Sequence, residues 1–410
     1  MPPRNSSPAE SDTSVSRRNF LLTAGVATGA LAVGAVGVGT SVANGTAQSV
    51  PQASVGLTVP FYGKHQAGVD TPAQSQGTFL GWTLKPGSDR EAARRLMSLL
   101  TDDAARLTQG APALPDNDPY LAGHPDRLTV TFGFGPGFFR TLGLQDKMPA
   151  GFTELPAFSI DKLTPQYSGG DLVIQVGSDD PLTLSHAVRQ LTRTARSFCS
   201  KVWSQSGFTR DQGTAPAGST GRNLFGQIDG TINPRTTSEL AAQVWATGQP
   251  SWFDGGTCMV LRRIEMALDP WDKLDDGGKE LSIGRRLDNG APLTGTHEFD
   301  TPDLNAKDEK GLHVIPTFAH LRRAKTGNDH EKFLRRPFNY DEGIHPDGSS
   351  NVGLLFAAYM ANIETQYIPV QQRLADLDLL NTWTTPIGSA VFAIPPGCQP
   401  GGYIGEGLLA

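Results

Sequence analysis

The sequence predicts an α+β protein with antiparallel sheets, and three observations support this prediction. Strand-like and helix-like segments follow one another in the order strand, helix, strand, strand, helix, strand. The pattern starts again after residue 223, and "GTCMVLRRIEM" (256–266) weakly echoes "GTFLGWTLK" (77–85), which points to a duplication. Units with this order of elements are typical of antiparallel sheets covered by helices. The order of elements carries the prediction, because the echo alone is too weak to define a fold.

The first half is predicted to contain five elements after a short tail. "GTFLGWTLK" is typical of a strand. In "SDREAARRLMSLL", Ser88 and Glu91 have the spacing of a capping box and apolar residues follow at helical spacing, so a helix is expected to begin there. The later elements are two strands and one helix, over 127–139, 171–180 and 181–198.

A polar, glycine-rich stretch, "SQSGFTRDQGTAPAGSTGRN" (204–223), is predicted to be a linker or long loop. It separates a first domain over 57–205 from a second domain over 223–410. In the second domain, "NVGLLFAAYM" (351–360) indicates a buried strand, and the helical stretch "NIETQYIPVQQRLADLD" follows it.

Composition narrows the class of protein and its partners. The chain has 410 residues, of which 38% are hydrophobic and 19% charged, which suits a globular protein of two domains with ample core. The net charge is −6 and there is no long basic run, so nucleic acid is not an expected partner. Cys199, Cys258 and Cys398 are far apart, which argues against a disulfide framework, a zinc ribbon or a covalently attached c-type haem. One disulfide and three buried thiols both remain open.

Residues 1–47 are predicted to be a signal peptide. The polar, basic start "SRRNFLL" precedes the Gly/Ala-rich apolar run "TAGVATGALAVGAVGVGTSVA". The paired Arg17 and Arg18 resemble those of the twin-arginine type. A transmembrane helix is the alternative, and the modest hydrophobicity of the run disfavours it. We therefore expect export by the twin-arginine machinery to an extracellular, periplasmic or cell-envelope location.

One carboxylate in the second half lies between two glycines. In "NLFGQIDGTINP", Asp229 is flanked by Gly226 and Gly230, which allow backbone conformations that other residues resist; a surface Asx turn is the alternative. His320 in "PTFAHLRRA" and Arg335 in "KFLRRPFNYDEG" follow, 15 residues apart. Haem peroxidase chemistry requires these residue types, because the iron needs an axial donor and peroxide needs a base and a cation.

Several motifs resemble those of the dye-decolourising peroxidases, and they occur in the family's order. "GQIDG" (226–230) matches the GxxDG motif, "AHLRR" matches the segment that carries the proximal histidine, and "FLRRPFNY" matches the segment that carries the distal arginine. Other similar blocks are "FYGKHQAGVDTPAQ" (61–74), "IGRRLDNGAPL" (283–293), "GLLFAAYM" (353–360) and "GSAVFAIPPG" (388–397). The resemblance runs from about residue 57 to the end and is closest to the twin-arginine-exported, EfeB-like branch.

The resemblance implies a duplicated ferredoxin-like fold with one non-covalent haem b per chain, held in the C-terminal half. It implies that His320 is the proximal iron ligand, with His297 and His313 as rivals nearby in sequence. Asp229 would act as the acid–base residue or orient peroxide, and Gly230 would let the backbone approach the porphyrin.

The remaining implied residues surround this centre. Arg335 would be the distal arginine, with Arg336 as the alternative. Arg285 or Arg286 is expected to pair with a haem propionate, by charge and planar geometry, and a surface salt bridge is the alternative. The exported branch often has an aspartate beside the proximal histidine, and Asn362 is expected to occupy that place here.

The implied function is that of a secreted haem b peroxidase. It would use hydrogen peroxide to oxidise dyes, phenols or other small aromatic one-electron donors through a ferryl intermediate. The main alternative is a deferrochelatase-like protein of haem handling and iron acquisition, partnered with a membrane iron permease. Surface aromatic residues would relay electrons from bulky dyes, and Trp252, Tyr340, Tyr367 and Tyr403 are candidates. A homo-oligomer is compatible with the sequence.

Overall fold

Two four-stranded antiparallel sheets form the framework of the protein in a computed structural model that describes residues 56–211, 213–216, 218–325 and 327–410. The predicted signal peptide lies outside the described residues. The strands are β1 (Gln76–Leu84), β2 (Thr129–Phe134), β3 (Leu172–Ser178), β4 (Cys199–Phe208), β5 (Thr257–Met266), β6 (Leu334–Arg335), β7 (Phe338–Ile344), β8 (Ser350–Met360) and β9 (Thr384–Ile394). The helices are α1 (Arg90–Thr108), α2 (Pro136–Thr141), α3 (Pro181–Ala195), α4 (Thr237–Gln243), α5 (Leu268–Trp271), α6 (Asp276–Ile283), α7 (His320–Ala324), α8 (Ile368–Leu377) and α9 (Glu406–Leu409).

The same strand order occurs twice. The first sheet has the order β2-β3-β1-β4 and the second the order β7-β8-β5-β9, all antiparallel. In each sheet the first and third strands of the unit are central, which is the ferredoxin-like arrangement. The α+β prediction with antiparallel sheets is therefore confirmed.

Single residue pairs join the two sheets. Phe134 in β2 pairs with Ala393 in β9, and Phe208 in β4 pairs with Asn339 in β7. With these two seams the eight long strands form a closed ring, since β5 also pairs with β8. Alternate side chains of both sheets point into the ring and form a buried cluster that includes Phe79, Val173, Leu261, Tyr359 and Phe392. The site described below lies on the outer face of the second sheet, away from this cluster.

A short interruption divides one edge of the second sheet. Strands β6 and β7 both pair with β8, Arg335 with Ala358 and Phe338 with Leu355. Pro337 lies between the two strands and lacks a backbone N–H, so the ladder breaks there. The result is a two-residue edge strand that carries Arg335.

Two local predictions are wrong. Helix α1 is capped by Asp89, whose side chain accepts a hydrogen bond from Ala92 N (2.8 Å), rather than by Ser88. The Ser88 hydroxyl donates instead to the Lys85 carbonyl (2.7 Å), and Glu91 binds Arg94. The predicted linker over 204–223 begins too early, because β4 continues to Phe208 on the edge of the first sheet.

The described residues answer two further questions from the sequence. Cys199, Cys258 and Cys398 are free thiols. Within the described ranges, no helix combines the length and apolar composition needed to cross a membrane.

Candidate active site

Asp229 lies in a loop whose shape depends on two glycines. Gly226 has φ +78° and Gly230 has φ +125°, values that favour glycine. The loop is closed by a backbone hydrogen bond from Asp229 N to Gly221 O (2.9 Å) and by the isolated bridge between Arg222 and Ile228. The carboxylate is thus carried on a defined turn, and its side chain is only 15% exposed.

Arg335 forms an ion pair with this carboxylate. Arg335 Nη1 lies 2.9 Å from Asp229 Oδ1, and the arginine side chain is 19% exposed. Successive side chains of a strand point to opposite faces, so Arg336 points the other way. Arg336 is buried inside the ring, where it binds the Thr71 carbonyl and Gln74 Oε1 (2.8 Å). The two arginines therefore have different surroundings. Arg335 faces Asp229, whereas Arg336 lies inside the ring and links the second half of the chain to Thr71 and Gln74 of the first half.

His320 is the first residue of α7 and is held by a carboxylate. His320 Nδ1 lies 2.6 Å from Asp378 Oδ2, and Asp378 is almost fully buried where α8 ends. Burial lowers the pKa of His320, but the charge of Asp378 and its hydrogen bond raise it by more, so the net pKa is above the usual histidine value. A carboxylate at Nδ1 places the ring proton on Nδ1 and leaves the Nε2 lone pair available in the neutral ring. The His320 side chain keeps 32% of its surface exposed, although its partner is closed off.

The three side chains face one region of the molecule. The charges of Arg335 and Asp229 both act on His320, the first lowering and the second raising its pKa. Arg285 belongs to the same region: burial lowers its pKa, Glu298 raises it, and Arg335 lowers it further. Arg285 Nη1 donates to the carbonyls of Gly290 (2.6 Å) and Glu298 (2.9 Å). Residues far apart in the sequence thus lie close enough for their charges to influence one another.

Other predicted residues lie elsewhere. Arg286 is exposed at the surface, whereas Arg285 is half-buried and its charge interacts with that of Arg335. Asn362 begins the π-helical segment Ile363–Tyr367, and its Oδ1 accepts from Thr365 N (3.0 Å). This corrects the expectation that Asn362 stands beside His320, because Asp378 occupies that place. Sequence reasoning missed Asp378, which is preceded by the equally acidic Asp376 and has no motif of its own.

The rival histidines and most aromatic relay candidates have other surroundings. His297 is 84% exposed and pairs with Asp300, and the backbone of His313 forms an isolated bridge with Lys307.

Three relay candidates, Trp252, Tyr340 and Tyr367, are buried, and burial raises the pKa of Tyr367 to about 12. Tyr403 is partly exposed.

A duplicated ferredoxin-like fold that brings a carboxylate, an arginine and a carboxylate-backed histidine to one region fits the class of haem peroxidases. Comparison with known protein families identifies the family within this class. The family described as "Dyp-type peroxidase, N-terminal" matches residues 66–209, and "Dyp-type peroxidase, C-terminal" matches residues 220–399. The chain belongs to the Dyp-type peroxidase family and is a haem-dependent oxidoreductase.

Similar proteins carry two different activity names. The chain is 40% identical over 334 residues to a dye-decolorizing peroxidase of Thermobifida fusca, covering 79% of this chain and 77% of that protein. It is 33% identical over 371 residues to a deferrochelatase of Escherichia coli K12, covering 85% and 87%. Among solved structures, a DyP-type peroxidase from Cellulomonas bogoriensis matches with TM-score 0.85 and 47% identity, covering 87% of this chain and 99% of that one.

The donor set fits the haem of this family. Haem iron needs one axial donor from the protein, and His320, with Nδ1 engaged by Asp378, offers Nε2 in the required form. The guanidinium of Arg285 offers a cation for a propionate. Asp229 and Arg335 supply a proton acceptor and a fixed positive charge in the same region. We found no group of three or more His, Cys, Asp or Glu side chains that could hold a metal ion among the described residues.

Proposed function

We propose that this protein is an exported haem b peroxidase that uses hydrogen peroxide to oxidise dyes, phenols or other one-electron donors. The observation that carries the proposal is the Asp229–Arg335 ion pair (2.9 Å) facing the same region as the carboxylate-backed His320. A protein that only stored haem would need the axial histidine but would have no use for a proton acceptor paired with a cation.

Each side chain has a distinct part in this chemistry. His320 Nε2 would hold the iron, and Arg285 would hold a propionate. Haem b, when bound, supplies the redox-active iron at which peroxide is reduced to water. Asp229 Oδ would accept a proton from one peroxide oxygen and return it to the other, which becomes water. The Arg335 guanidinium would stabilise the negative charge that develops as the O–O bond breaks, since it stays protonated throughout.

Release of iron from haem is the second candidate function. Its support is the similarity to the Escherichia coli deferrochelatase over 85% of this chain. The two activities leave different products, since a peroxidase keeps its haem intact through many turnovers, whereas a deferrochelatase releases iron and leaves metal-free porphyrin.

The test compares both products from one preparation. Holoprotein is mixed with hydrogen peroxide and a phenolic donor, and donor oxidation is followed by absorbance while porphyrin fluorescence is followed in parallel. Many donor molecules oxidised per haem, without porphyrin fluorescence, supports the peroxidase. Stoichiometric porphyrin with negligible donor oxidation would overturn the proposal in favour of the deferrochelatase.

Substitution of Asp378 tests how His320 is held. Asp378→Asn removes the anionic acceptor at His320 Nδ1, so the imidazole becomes a weaker electron donor. We expect the haem reduction potential to rise and peroxide turnover to fall roughly 10- to 100-fold. Asp376→Asn is the matched control, because it removes the same charge from an exposed position two residues away. An unchanged potential in Asp378→Asn would contradict the arrangement.

Export is proposed on the paired Arg17 and Arg18 and the Gly/Ala-rich apolar run that follows them. Replacing Arg17 and Arg18 together with lysine keeps the charge but removes the guanidinium pair that marks the twin-arginine type. We expect precursor to accumulate in the cytoplasm, as measured by immunoblotting of cell fractions. Arg4→Lys, outside the pair, should be exported normally. Normal export of the double variant would show that another route is used.

A further inference from the structure

The side chain of Asn233 joins the Asp229 loop to the main chain of Arg335. Asn233 Nδ2 donates to the Arg335 carbonyl (2.7 Å), and Asn233 Oδ1 accepts from the Arg335 N–H (3.0 Å). The two residues are 102 positions apart in the chain. Both hydrogen-bonding groups of one backbone residue are therefore satisfied by one side chain, which itself lies in the loop that carries the carboxylate.

The position of Arg335 on the sheet explains why an amide is needed there. In an antiparallel pair of strands, facing residues alternate between two kinds. In one kind the backbone N–H and C=O groups bond to the partner strand, and in the other kind these groups point away from it. Arg336 N donates to Ala357 O (2.8 Å), so the neighbouring pair of Arg335 and Ala358 is of the non-bonded kind. The N–H and C=O of Arg335 consequently point away from β8, at a sheet edge.

An asparagine side chain carries the same donor and acceptor as a peptide group. Strand β6 is only two residues long and Pro337 follows shortly after it, so β6 by itself offers little backbone to hold Arg335 in place. Asn233 takes the place of a neighbouring strand at this single residue.

Asn233 is itself held by the turn that holds Asp229. Asn233 N donates to Gly230 O (3.0 Å), which closes a turn that begins one residue after Asp229. The hydroxyl of Thr231, inside this turn, donates to Glu298 Oε1 (2.9 Å). The loop therefore contacts Arg335 twice: Asp229 contacts the guanidinium, and Asn233 contacts the backbone from which that guanidinium extends.

We propose that Asn233 is a positioning residue that sets the distance and orientation between the Asp229 carboxylate and the Arg335 guanidinium, an inference that rests on the proposed peroxidase function. Asn233 acts through Arg335 and takes no part in proton transfer. Loss of its amide frees the Arg335 backbone at the sheet edge, and the ion pair then no longer fixes where the guanidinium lies relative to bound peroxide. Misplacement of a catalytic group by about 1 Å can cost 10²-fold in rate.

The first measurement does not depend on activity. Hydrogen exchange of the segment around β6 is followed by mass spectrometry in the holoprotein of the wild type, Asn233→Ala and Asn305→Asp. We expect the Arg335 amide to exchange about tenfold faster in Asn233→Ala, because its hydrogen bond is lost. Asn305 is exposed and far along the chain from this loop, so Asn305→Asp should match the wild type. Unchanged exchange in Asn233→Ala would overturn the inference.

The second measurement uses the holoprotein. We expect Asn233→Ala to lower kcat/KM for hydrogen peroxide about 10- to 100-fold, with haem content, the histidine-ligated absorption spectrum and kcat/KM for the donor unchanged. Asn233→Asp keeps the acceptor but sets an oxygen against the Arg335 carbonyl, so kcat/KM for peroxide should also fall although the amide remains protected. A loss shared equally by peroxide and donor, or no loss in either variant, contradicts a positioning role.

The two proposals fail in different ways. If wild-type holoprotein turns over no peroxide, the peroxidase function fails, and the exchange experiment still reports on the contact. If the wild type is active and both Asn233 variants match it in peroxide kinetics, the positioning role alone fails. Circular dichroism of Asn233→Ala, compared with the wild type and with the nearly isosteric Asn233→Asp, identifies any general folding defect.

Discussion

His320→Ala is expected to abolish peroxide turnover and to leave haem weakly bound, with water in place of the imidazole. In the proposed function His320 Nε2 is the one axial donor from the protein, and alanine offers none. Asp378 would also lose its imidazole partner and keep only the hydrogen bond from Leu380 N (3.0 Å), and a buried carboxylate with fewer partners destabilises the protein around it. Absorption and electron paramagnetic resonance spectra of the purified variant should lack the histidine-ligated ferric signal.

The rival histidines provide matched controls for this substitution. His297 and His313 lie in the same segment of sequence as His320 but do not make its contact with Asp378, so His297→Ala and His313→Ala are the control variants. Both should retain the wild-type spectrum. A histidine-ligated spectrum in His320→Ala, or its loss in either control, would move the ligand elsewhere.

Arg335→Leu and Asp229→Ala are expected to slow the reaction with peroxide by about 10²-fold each, the scale of one electrostatic or acid–base group. The two losses test different contributions. Arg335→Leu removes a positive charge that would stabilise the breaking O–O bond. Asp229→Ala removes the carboxylate that would move the peroxide proton.

Stopped-flow mixing of each variant with hydrogen peroxide, followed at the main haem absorption band, measures the two losses separately. Arg94→Leu, on the exposed face of α1 in the first half, is a control for removal of an arginine. Should both variants react at the wild-type rate, the pair has been misassigned, and the iron-release function gains support. If only Asp229→Ala is slow, proton transfer limits the reaction and charge stabilisation contributes little.

The sequence predicted the segments with strong periodicity and missed features that depend on tertiary contacts. Strands β1, β3 and β5 each contain a short apolar stretch, Phe79–Leu80, Leu172–Ile174 and Cys258–Leu261 respectively, so their existence followed from the pattern. The exact start of α1 could not be predicted from the pattern, because Ser88 and Asp89 are both good caps and only the local geometry selects Asp89. When two adjacent residues can both cap a helix, the helix boundary depends on which of them accepts the hydrogen bond from the first turn.

The candidate site shows the same division. Asp229 between two glycines and His320 in a recognisable segment were visible in the sequence. The choice of Arg335 over Arg336 rested on the resemblance alone, and the strand shows that Arg335 faces Asp229 while Arg336 points into the ring. The partner of His320 was placed at Asn362, but it is Asp378, 58 residues from the histidine. No local pattern marks such a residue, because its role arises from the packing of α7 against α8.

The closed ring of strands has a consequence for synthesis of the chain. Strand β9 is the last of the nine, and it supplies both the partner of β5 and the seam to β2 through Ala393. Until the ribosome has delivered residues 384–394, the nascent second sheet lacks an edge strand and the ring stays open. Completion of this half therefore depends on β9, and chains truncated before β9 would expose unpaired edges that favour aggregation.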